Sequence, residues 1–257
     1  MFASDKKLPV AGGAEKRAYV RGMFTAIAPT YDRLNRIISL SLDRRWRRRA
    51  VGRLDWEREP EGIYLDLCAG TLDFAAALAT ASGFRGRIVA ADFVPRMLQL
   101  GRGKAAAVAP VAADALALPF ADATFDGAMI GWGVRNLVDL DDGLLEAARV
   151  LRPGARLVVL ETSTPPHQPM RTLNRLYCER LMPAVGRAIS GHESAYTWLP
   201  ESARAFPDAN AFAGRIGAAG FENVEYEHLM GGVCALHVGT LAATIPCAVP
   251  GACDGAG

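Results

Sequence analysis

The 257-residue chain lacks several features that mark large classes of proteins. Its most apolar stretch, residues 105–120, is interrupted by Pro110, Asp114 and Pro119, so we expect no membrane-spanning helix. Its five cysteines form no Cys-Xaa-Xaa-Cys pair. This pattern favours reduced thiols in a cytoplasmic protein over disulfides or a metal site. The first residues lack an apolar core, so we also expect no secretory signal.

Neither sign of charge is in excess. The chain has 29 Lys and Arg against 27 Asp and Glu, a formal net charge of +2. Proteins that bind nucleic acid usually carry a marked positive excess, so we expect no nucleic acid partner. With 51% hydrophobic and 22% charged residues, the composition is that of a globular protein. The length suits one large α/β domain.

From Ile63 onward, short apolar runs alternate with helical stretches, which predicts a parallel sheet covered by helices. Pro110 has no N–H to donate, so it suits only the start of a strand or a strand at the edge of the sheet. The candidate strands are Ile63–Leu67, Arg87–Ala91, Val108–Ala113, Phe125–Ile130, Arg156–Leu160, Asn223–Glu227 and Cys234–Thr240. We therefore predict an α/β fold with a Rossmann-like, seven-stranded, mostly parallel, doubly wound sheet.

Helical segments precede the sheet and interrupt it. Apolar residues at helical spacing predict a helix that Pro29 ends, and another around Trp46. A further apolar stripe, Leu173, Leu176, Tyr177 and Leu181, falls in an insertion after Glu161. The predicted organisation is a flexible arm over 1–17, one domain over 18–245 and a disordered tail over 246–257. Within the domain, 18–58 form an N-terminal helical cap and 163–218 a helical insertion or lid.

Three carboxylates, Asp66, Asp92 and Asp114, fall at or near the ends of the first three predicted strands. The Gly-Xaa-Gly-Xaa-Xaa-Gly spacing that wraps a pyrophosphate is absent. An adenosine that carries a positive sulfonium suits the pattern better than a dinucleotide. Asp66 would face the cationic end, Asp92 the ribose and Asp114 the adenine amino group. The alternative is that these acids cap helices or lie in solvated loops.

Several stretches together resemble one family. The chain is similar to the S-adenosylmethionine-dependent class I methyltransferases, and within them to the ubiquinone/menaquinone biosynthesis methyltransferases. The resemblance covers residues 18–240 and includes the Asp-Xaa-Xaa-Xaa-Gly turn that ends at Gly70. It is carried by Val20–Phe24, Ile27–Asn35, Ser39–Trp46, Leu116–Phe120, Gly131–Asn136, Arg149–Gly154, Leu160–Ser163, Tyr196–Ser202 and Ala218–Phe221.

The resemblance implies S-adenosylmethionine as cofactor. It places contacts on Thr71, Asp92 and the pair Asp114-Ala115, to which we add Asp66 and Gly70 of the first loop. Two positions depart from the family pattern. Gly131 replaces a small hydroxyl residue, so one hydrogen bond at this cofactor position is missing. Leu72 replaces a turn glycine, and its β-carbon is expected to crowd the approach of the cofactor.

The same resemblance implies methylation of a ring carbon of a prenylated quinol, most closely demethylmenaquinol to menaquinol. Arg135 is our candidate for stabilising a quinolate oxygen, because a guanidinium stays charged and offers several donors. Asn136, Tyr31 and Asp32 are candidate partners of the ring hydroxyls. An ion pair of Arg135 with Glu146 or Glu161 is the structural alternative.

The sequence leaves several binding partners and functions open. The basic run Arg44–Arg49 with Trp46 suits peripheral contact with the inner face of a membrane, although such a run is more often a solvated face. A homodimer is also compatible with the sequence. Two rival functions remain: a methyltransferase of another small aromatic or secondary metabolite, and a non-catalytic protein that binds a quinone or a partner.

Overall fold

The structure is a computed structural model that describes residues 8–10, 12–182 and 193–243, with the backbone alone for 193–197. The tail predicted over 246–257 lies outside the described residues. The first helix, α1, spans Gly13–Ile27 and ends two residues before Pro29, as predicted. Residues 13–17 are therefore helical, and the arm predicted over 1–17 extends too far.

The sheet has the seven strands that the sequence predicts. They are β1 Ile63–Leu67, β2 Arg87–Asp92, β3 Val108–Ala112, β4 Phe125–Gly131, β5 Leu151–Thr162, β6 Phe221–Leu229 and β7 Cys234–Leu241. Their order is β3-β2-β1-β4-β5-β7-β6. Neighbours from β3 to β5 pair parallel, and β7 pairs antiparallel with β5 and β6. The mostly parallel, doubly wound sheet is confirmed.

Proline and glycine account for the least regular strands. β3, which contains Pro110, lies at the edge of the sheet, as its missing N–H requires. β5 begins at Leu151, five residues before its predicted start at Arg156, and its register with β4 shifts over this stretch. Gly154 has a φ of 83° there, a conformation that glycine adopts without steric cost.

Nine helices longer than one turn are described. Besides α1 they are α2 Tyr31–Ile38, α3 Leu42–Val51, α4 Asp73–Ala79, α5 Pro95–Gly101, α6 Leu140–Val150, α7 Met170–Leu176, α8 Glu193–Ala205 and α9 Ala209–Ala218. A π-helical segment, Tyr177–Leu181, continues α7. The predicted lid over 163–218 is too wide, because α9 packs against the sheet: Phe212 and Ile216 are buried in its core.

Each face of the sheet is covered by an apolar layer, because successive side chains of a strand point to opposite faces. In β1, Leu65 and Leu67 face the layer that holds α6 and α9, and Tyr64 faces the layer that holds α3 and α4. A third apolar cluster joins α1 and α2 to Trp198 of α8. The helical cap and the insertion therefore meet each other, away from the two main layers.

The turn after β1 depends on a close fit between Leu72 and Gly101. Leu72 has a φ of 66° and is buried, and a β-carbon at Gly101 would lie 2.5 Å from the Leu72 Cγ and from the Thr71 carbonyl oxygen. The side chain of Leu72 thus occupies space that only a glycine at the end of α5 leaves free.

We predict that Gly101→Ala lowers the free energy of unfolding by about 1–3 kcal/mol, because overpacking forces the neighbours apart. The matched control is Gly217→Ala in α9, where a β-carbon meets nothing within 4 Å. The control should be neutral or stabilising by up to about 1 kcal/mol. Denaturant unfolding of both variants measures this, and equal stabilities would contradict the assigned fit.

Candidate active site

A first cavity lies beyond the carboxyl ends of β1, β2 and β4. Five of the predicted cofactor residues line it: Gly70, Asp92, Asp114, Ala115 and Gly131. The cavity is at the reversal of strand order between β1 and β4, where open α/β sheets bind ligands.

Asp92 ends β2 and is buried at the wall of this cavity. Its two carboxylate oxygens accept the N–H groups of Gly70 and Val94, each at 2.8 Å. Burial raises the pKa of Asp92 to about 6, although these two hydrogen bonds oppose the rise. Each oxygen keeps a lone pair, so the ionised group can still accept hydrogen bonds from a ligand's hydroxyls.

Asp114 lies where the cavity meets α1, and it pairs with Arg17 of that helix. Its Oδ1 also accepts the Leu116 N–H at 3.1 Å. Arg17 itself lines the cavity, so the helical cap closes this end of the site. The residues around it, Phe93 and Leu116, offer apolar surface against which a planar base can pack.

Two predicted cofactor residues do not line the cavity. Asp66 is buried within β1, where it accepts the Ala75 N–H at 2.8 Å at the start of α4. Burial raises the pKa of Asp66 to about 7. Thr71 is also buried, and its hydroxyl donates to Asp32. Direct contact of either side chain with a cofactor is thus not supported: both shape the turn that surrounds the cavity.

The two departures from the family pattern have local explanations. The side chain of Leu72 is buried against Gly101 and does not line the cavity, so the expected crowding by its β-carbon is absent. A β-carbon at Gly131 would lie 3.1 Å from the Phe74 ring, which leaves little room for the missing hydroxyl side chain.

A second, larger cavity lies between the helical cap and the insertion. Its wall is mostly apolar and includes Ile27, Leu34 and Met182. Phe24, Tyr31 and Trp132 line both cavities. A ligand in the first cavity and one in the second would therefore meet at these three aromatic side chains.

Arg135 lines the second cavity and forms a buried ion pair with Glu161, with 2.7 Å between its Nη1 and Oε1. Nη1 also donates to the Trp132 carbonyl at 2.7 Å. The structural alternative of a Glu161 pair is thus present, whereas Glu146 bonds Arg149 instead. The Nε of Arg135 is buried and has no hydrogen-bond partner among the described residues.

Two residues of α2, Tyr31 and Asp32, were predicted to contact the ring hydroxyls of the substrate, and they lie in different surroundings. Tyr31 lines both cavities, and burial raises the pKa of its hydroxyl, so it stays protonated and can donate. Asp32 lines neither cavity. Its carboxylate bonds Thr71 and Lys104, the latter at 2.7 Å, and although burial opposes them these bonds hold the pKa of Asp32 below its usual value. The prediction that Asp32 contacts the substrate is therefore not supported.

Asn136 lines the first cavity, and its orientation depends on the insertion. Trp198 of α8 is buried and its Nε1 donates to the Asn136 Oδ1 at 2.9 Å. The amide nitrogen of Asn136 lies 3.3 Å from the Trp132 carbonyl oxygen. The sequence shows both residues in family blocks, but no local spacing could show that they bond across 62 positions.

Sequence reasoning also missed a polar cluster in the second cavity. Arg47 is buried, pairs with Asp43, and places its guanidinium 4.9 Å from the centre of a Trp132 ring. Asp43 also accepts the Ser39 hydroxyl at 2.8 Å. A buried cation over an aromatic face fixes the orientation of that ring. Arg47 belongs to the Arg44–Arg49 run, but in the sequence that run indicated an exposed basic surface and not a buried cation.

Solved structures share this fold at low identity. A S-adenosylmethionine-dependent methyltransferase of Thermotoga maritima matches with a TM-score of 0.60 and 20% identity, covering 85% of this chain and 98% of that one. The [4+2]-cyclase SpnF matches with a TM-score of 0.64 and 16% identity, covering 92% and 99%. These matches support the fold alone.

Sequence relatives are much closer. A model of the ubiE/COQ5 methyltransferase family matches residues 13–241. The chain belongs to this family. It is 49% identical over 222 residues to a demethylmenaquinone methyltransferase of Thermus thermophilus, covering 84% of this chain and 99% of the relative. It is 40% identical to a ubiquinone/menaquinone biosynthesis C-methyltransferase of a Geobacter species, covering 88% and 98%.

Family membership makes S-adenosylmethionine the methyl donor, and the residues that line the first cavity are of the chemical types that would hold it. Carboxylates at Asp92 and Asp114 match ribose hydroxyls and an adenine amino group, and Gly70 and Gly131 let backbone approach the ligand. Phe93 provides a surface for the base.

We predict that S-adenosylmethionine binding weakens as the pH falls below about 6, because protonated Asp92 can no longer accept from both ribose hydroxyls. Asp92→Ala should weaken binding by about 1.5–3 kcal/mol at neutral pH. Asp92→Asn, the matched control, should remove the pH step. Calorimetric titration measures all three, and unchanged dissociation constants would contradict the assignment.

We predict that Trp198→Phe weakens S-adenosylmethionine binding, because the ring still packs against Tyr19 but no longer donates to Asn136, which lines the first cavity. The loss of affinity in calorimetric titration should be about tenfold or less, as expected for one neutral hydrogen bond. Trp56→Phe, in a buried tryptophan remote from both cavities, serves as control. Equal loss in both variants would make the effect one of packing.

Proposed function

We propose that this chain transfers the methyl group of S-adenosylmethionine to a ring carbon of a prenylated quinol, converting demethylmenaquinol to menaquinol. The observation that carries this is the wall shared by the two cavities. The first cavity is rimmed by carboxylates and the second is larger and mostly apolar. This difference matches a charged nucleoside on one side of Phe24, Tyr31 and Trp132 and a lipid-like acceptor on the other.

The relatives agree with this assignment. Those of Thermus thermophilus and Deinococcus radiodurans are named demethylmenaquinone methyltransferases, and the latter is 40% identical over 242 residues. A naphthoquinol therefore has more support than a benzoquinol.

The donor supplies an electrophilic methyl group on a sulfonium. Asp92 would hold the ribose and Asp114 the adenine, which requires Arg17 to share or release that carboxylate. The turn at Gly70 and the main chain at Gly131 would face the rest of the donor. In-line transfer needs the nucleophilic carbon about 3–3.5 Å from the methyl carbon, so these contacts serve to fix position.

The acceptor ring would lie in the second cavity at the shared wall. Arg135 lines this cavity, where Glu161 and the Trp132 carbonyl hold its Nη1. A guanidinium beside a ring hydroxyl lowers the pKa of that hydroxyl and stabilises the quinolate, whose neighbouring carbon then attacks. Tyr31 can donate to a ring oxygen, because burial keeps its own hydroxyl protonated.

No side chain of the described residues presents itself as a free base in this cavity. Asp43, a carboxylate in its lining, is paired with Arg47. We therefore propose that the hydroxyl proton passes to water as Arg135 stabilises the quinolate, and that the hydrogen on the newly methylated ring carbon is lost to water after the transfer, which restores the aromatic ring. The Glu161 pair orients Arg135 and leaves part of the guanidinium for the substrate.

The mostly apolar wall of the second cavity favours a prenylated acceptor over a small polar one. A prenyl chain offers apolar surface along its whole length, which such a wall buries. The departures from the family pattern at Leu72 and Gly131, which were compatible with a different substrate, are both explained by local packing. No observation favours the non-catalytic alternative.

A quinol with a long tail resides in a membrane, so we propose peripheral contact with its inner face. Among the described residues, no helix combines the length and apolar character needed to cross a bilayer. The predicted contact face Arg44–Arg49 with Trp46 is not supported as a whole. Trp46 and Arg47 are buried, and Arg49 pairs with Glu227. A homodimer remains a proposal.

We predict that Arg135→Lys lowers kcat on a reduced, short-tailed demethylnaphthoquinol by about tenfold to a hundredfold, because a lysine keeps the charge but loses the fork geometry. The dissociation constant for S-adenosylmethionine should change less than threefold. Arg152→Lys, on the exposed start of β5, is the matched control. Equal losses of kcat and donor affinity would make Arg135 purely structural.

A further inference from the structure

The mouth of the second cavity carries unusually exposed apolar side chains. Leu40, Leu173 and Met230 all line the cavity, yet they are 71%, 55% and 47% exposed. Side chains that line a cavity and also face solvent mark its opening. The opening is therefore surrounded by apolar surface.

The three segments that bear these side chains are joined to one another. The Tyr177 hydroxyl, on the π-helical segment, donates to the Ile38 carbonyl at 2.5 Å, next to Leu40. A β-carbon at Gly231 would lie 3.1 Å from the Cγ of Met170, which starts α7. These contacts hold Leu40, α7 and the loop at Met230 around one opening, which we call the rim.

Leu40 is held outward at a conformational cost. Its φ is 52° and that of the next residue, Ser41, is 61°. Residues other than glycine adopt this left-handed conformation uncommonly. Nothing among the described residues buries Leu40 in return, since it is the most exposed large apolar side chain of that part of the chain. An outside partner would bury it.

The apolar stripe of the insertion extends the rim. Leu176 and Leu181 do not line the cavity and are 41% and 53% exposed. A stripe of this spacing is usually buried against a neighbouring element. Here it lies at the surface, on the same continuous helix as Leu173.

Positive charge accompanies this apolar surface. Arg44 and Arg45 are exposed in the first turn of α3, directly after Leu40. Arg175 and Arg180 are exposed on the stripe's own helix. None of the four has an ion pair among the described residues. The acid on that helix, Glu179, is already paired with Arg204 at 3.0 Å.

We propose that the rim docks on a bilayer that contains anionic lipids, with its leucines in the interface and its arginines on the lipid phosphates. The second cavity then opens into the membrane, so a prenyl tail passes into it without crossing water. Apolar side chains flanked by basic ones are the composition that binds such interfaces. The choice of lipid as occupant rests on the proposed quinol substrate.

The first test is vesicle sedimentation without donor or quinol, using phosphatidylcholine vesicles with and without phosphatidylglycerol. We expect the double variant Leu176→Gln/Leu181→Gln to bind anionic vesicles at least about tenfold more weakly than the unchanged chain. The matched control, Leu100→Gln/Leu145→Gln, removes two leucines that are 40% and 50% exposed on α5 and α6. It should bind unchanged. Equal binding by both variants would overturn the proposal.

Two double charge-reversal variants test whether the arginines bind anionic lipid. Arg175→Glu/Arg180→Glu should lose the preference for anionic vesicles and its dependence on salt. Arg96→Glu/Arg102→Glu, at α5, makes the same charge change elsewhere and should keep both. Leu40→Gln serves as a second rim variant should a helix variant fail to fold. Loss of salt dependence in the control alone would overturn the proposal.

The two proposals fail separately. Methyl transfer to a short-tailed quinol without vesicle binding would overturn docking and leave the function intact. Rim-dependent vesicle binding without methyl transfer would do the reverse. Light scattering tests whether a second copy of the chain, instead of lipid, binds at the rim. A dimer that the rim variants dissociate, with no vesicle binding, would also overturn docking on lipid.

Discussion

The reversal of strand order between β1 and β4 is the constraint on which the site depends. β2 and β3 extend the sheet to one side of β1, and β4 and β5 extend it to the other. The loops after β1 and β4 therefore diverge and leave a crevice that no helix of the sheet layers fills. Asp92 and Gly131 reach this crevice from the ends of β2 and β4, which lie on either side of β1. The helical cap covers it and adds Tyr31 and Arg17.

Buried polar pairs convert this crevice into a site with two distinct sides. Glu161 lies one residue before the end of β5, where burial makes an unpaired carboxylate costly, and Arg135 pairs with it. The same pair positions Arg135 toward the second cavity. The Arg47–Asp43 pair likewise holds a guanidinium against the Trp132 ring and fixes the orientation of that ring. SpnF, a cyclase, shares the fold, so these side chains, and not the sheet, carry the argument for methyl transfer.

The sheet could be predicted because each strand is a local apolar run bounded by turn residues, and Pro110 even indicated its edge position. The acids Asp92 and Asp114 could be placed because parallel strands end at one edge. Asp66 and Thr71 could not, since the direction of a side chain within a turn depends on long-range packing. The Trp198–Asn136 bond and the exposure of Leu173 were equally beyond local pattern, because both depend on how the insertion meets the cap.

The most direct test of the account is the fate of a labelled methyl group. The chain would be incubated with methyl-labelled S-adenosylmethionine and a demethylnaphthoquinol kept reduced, and the product analysed by mass spectrometry and NMR. The two-cavity site predicts one labelled methyl on the ring carbon for each donor consumed. A label on a ring oxygen, or no transfer although donor and quinol both bind, would contradict it.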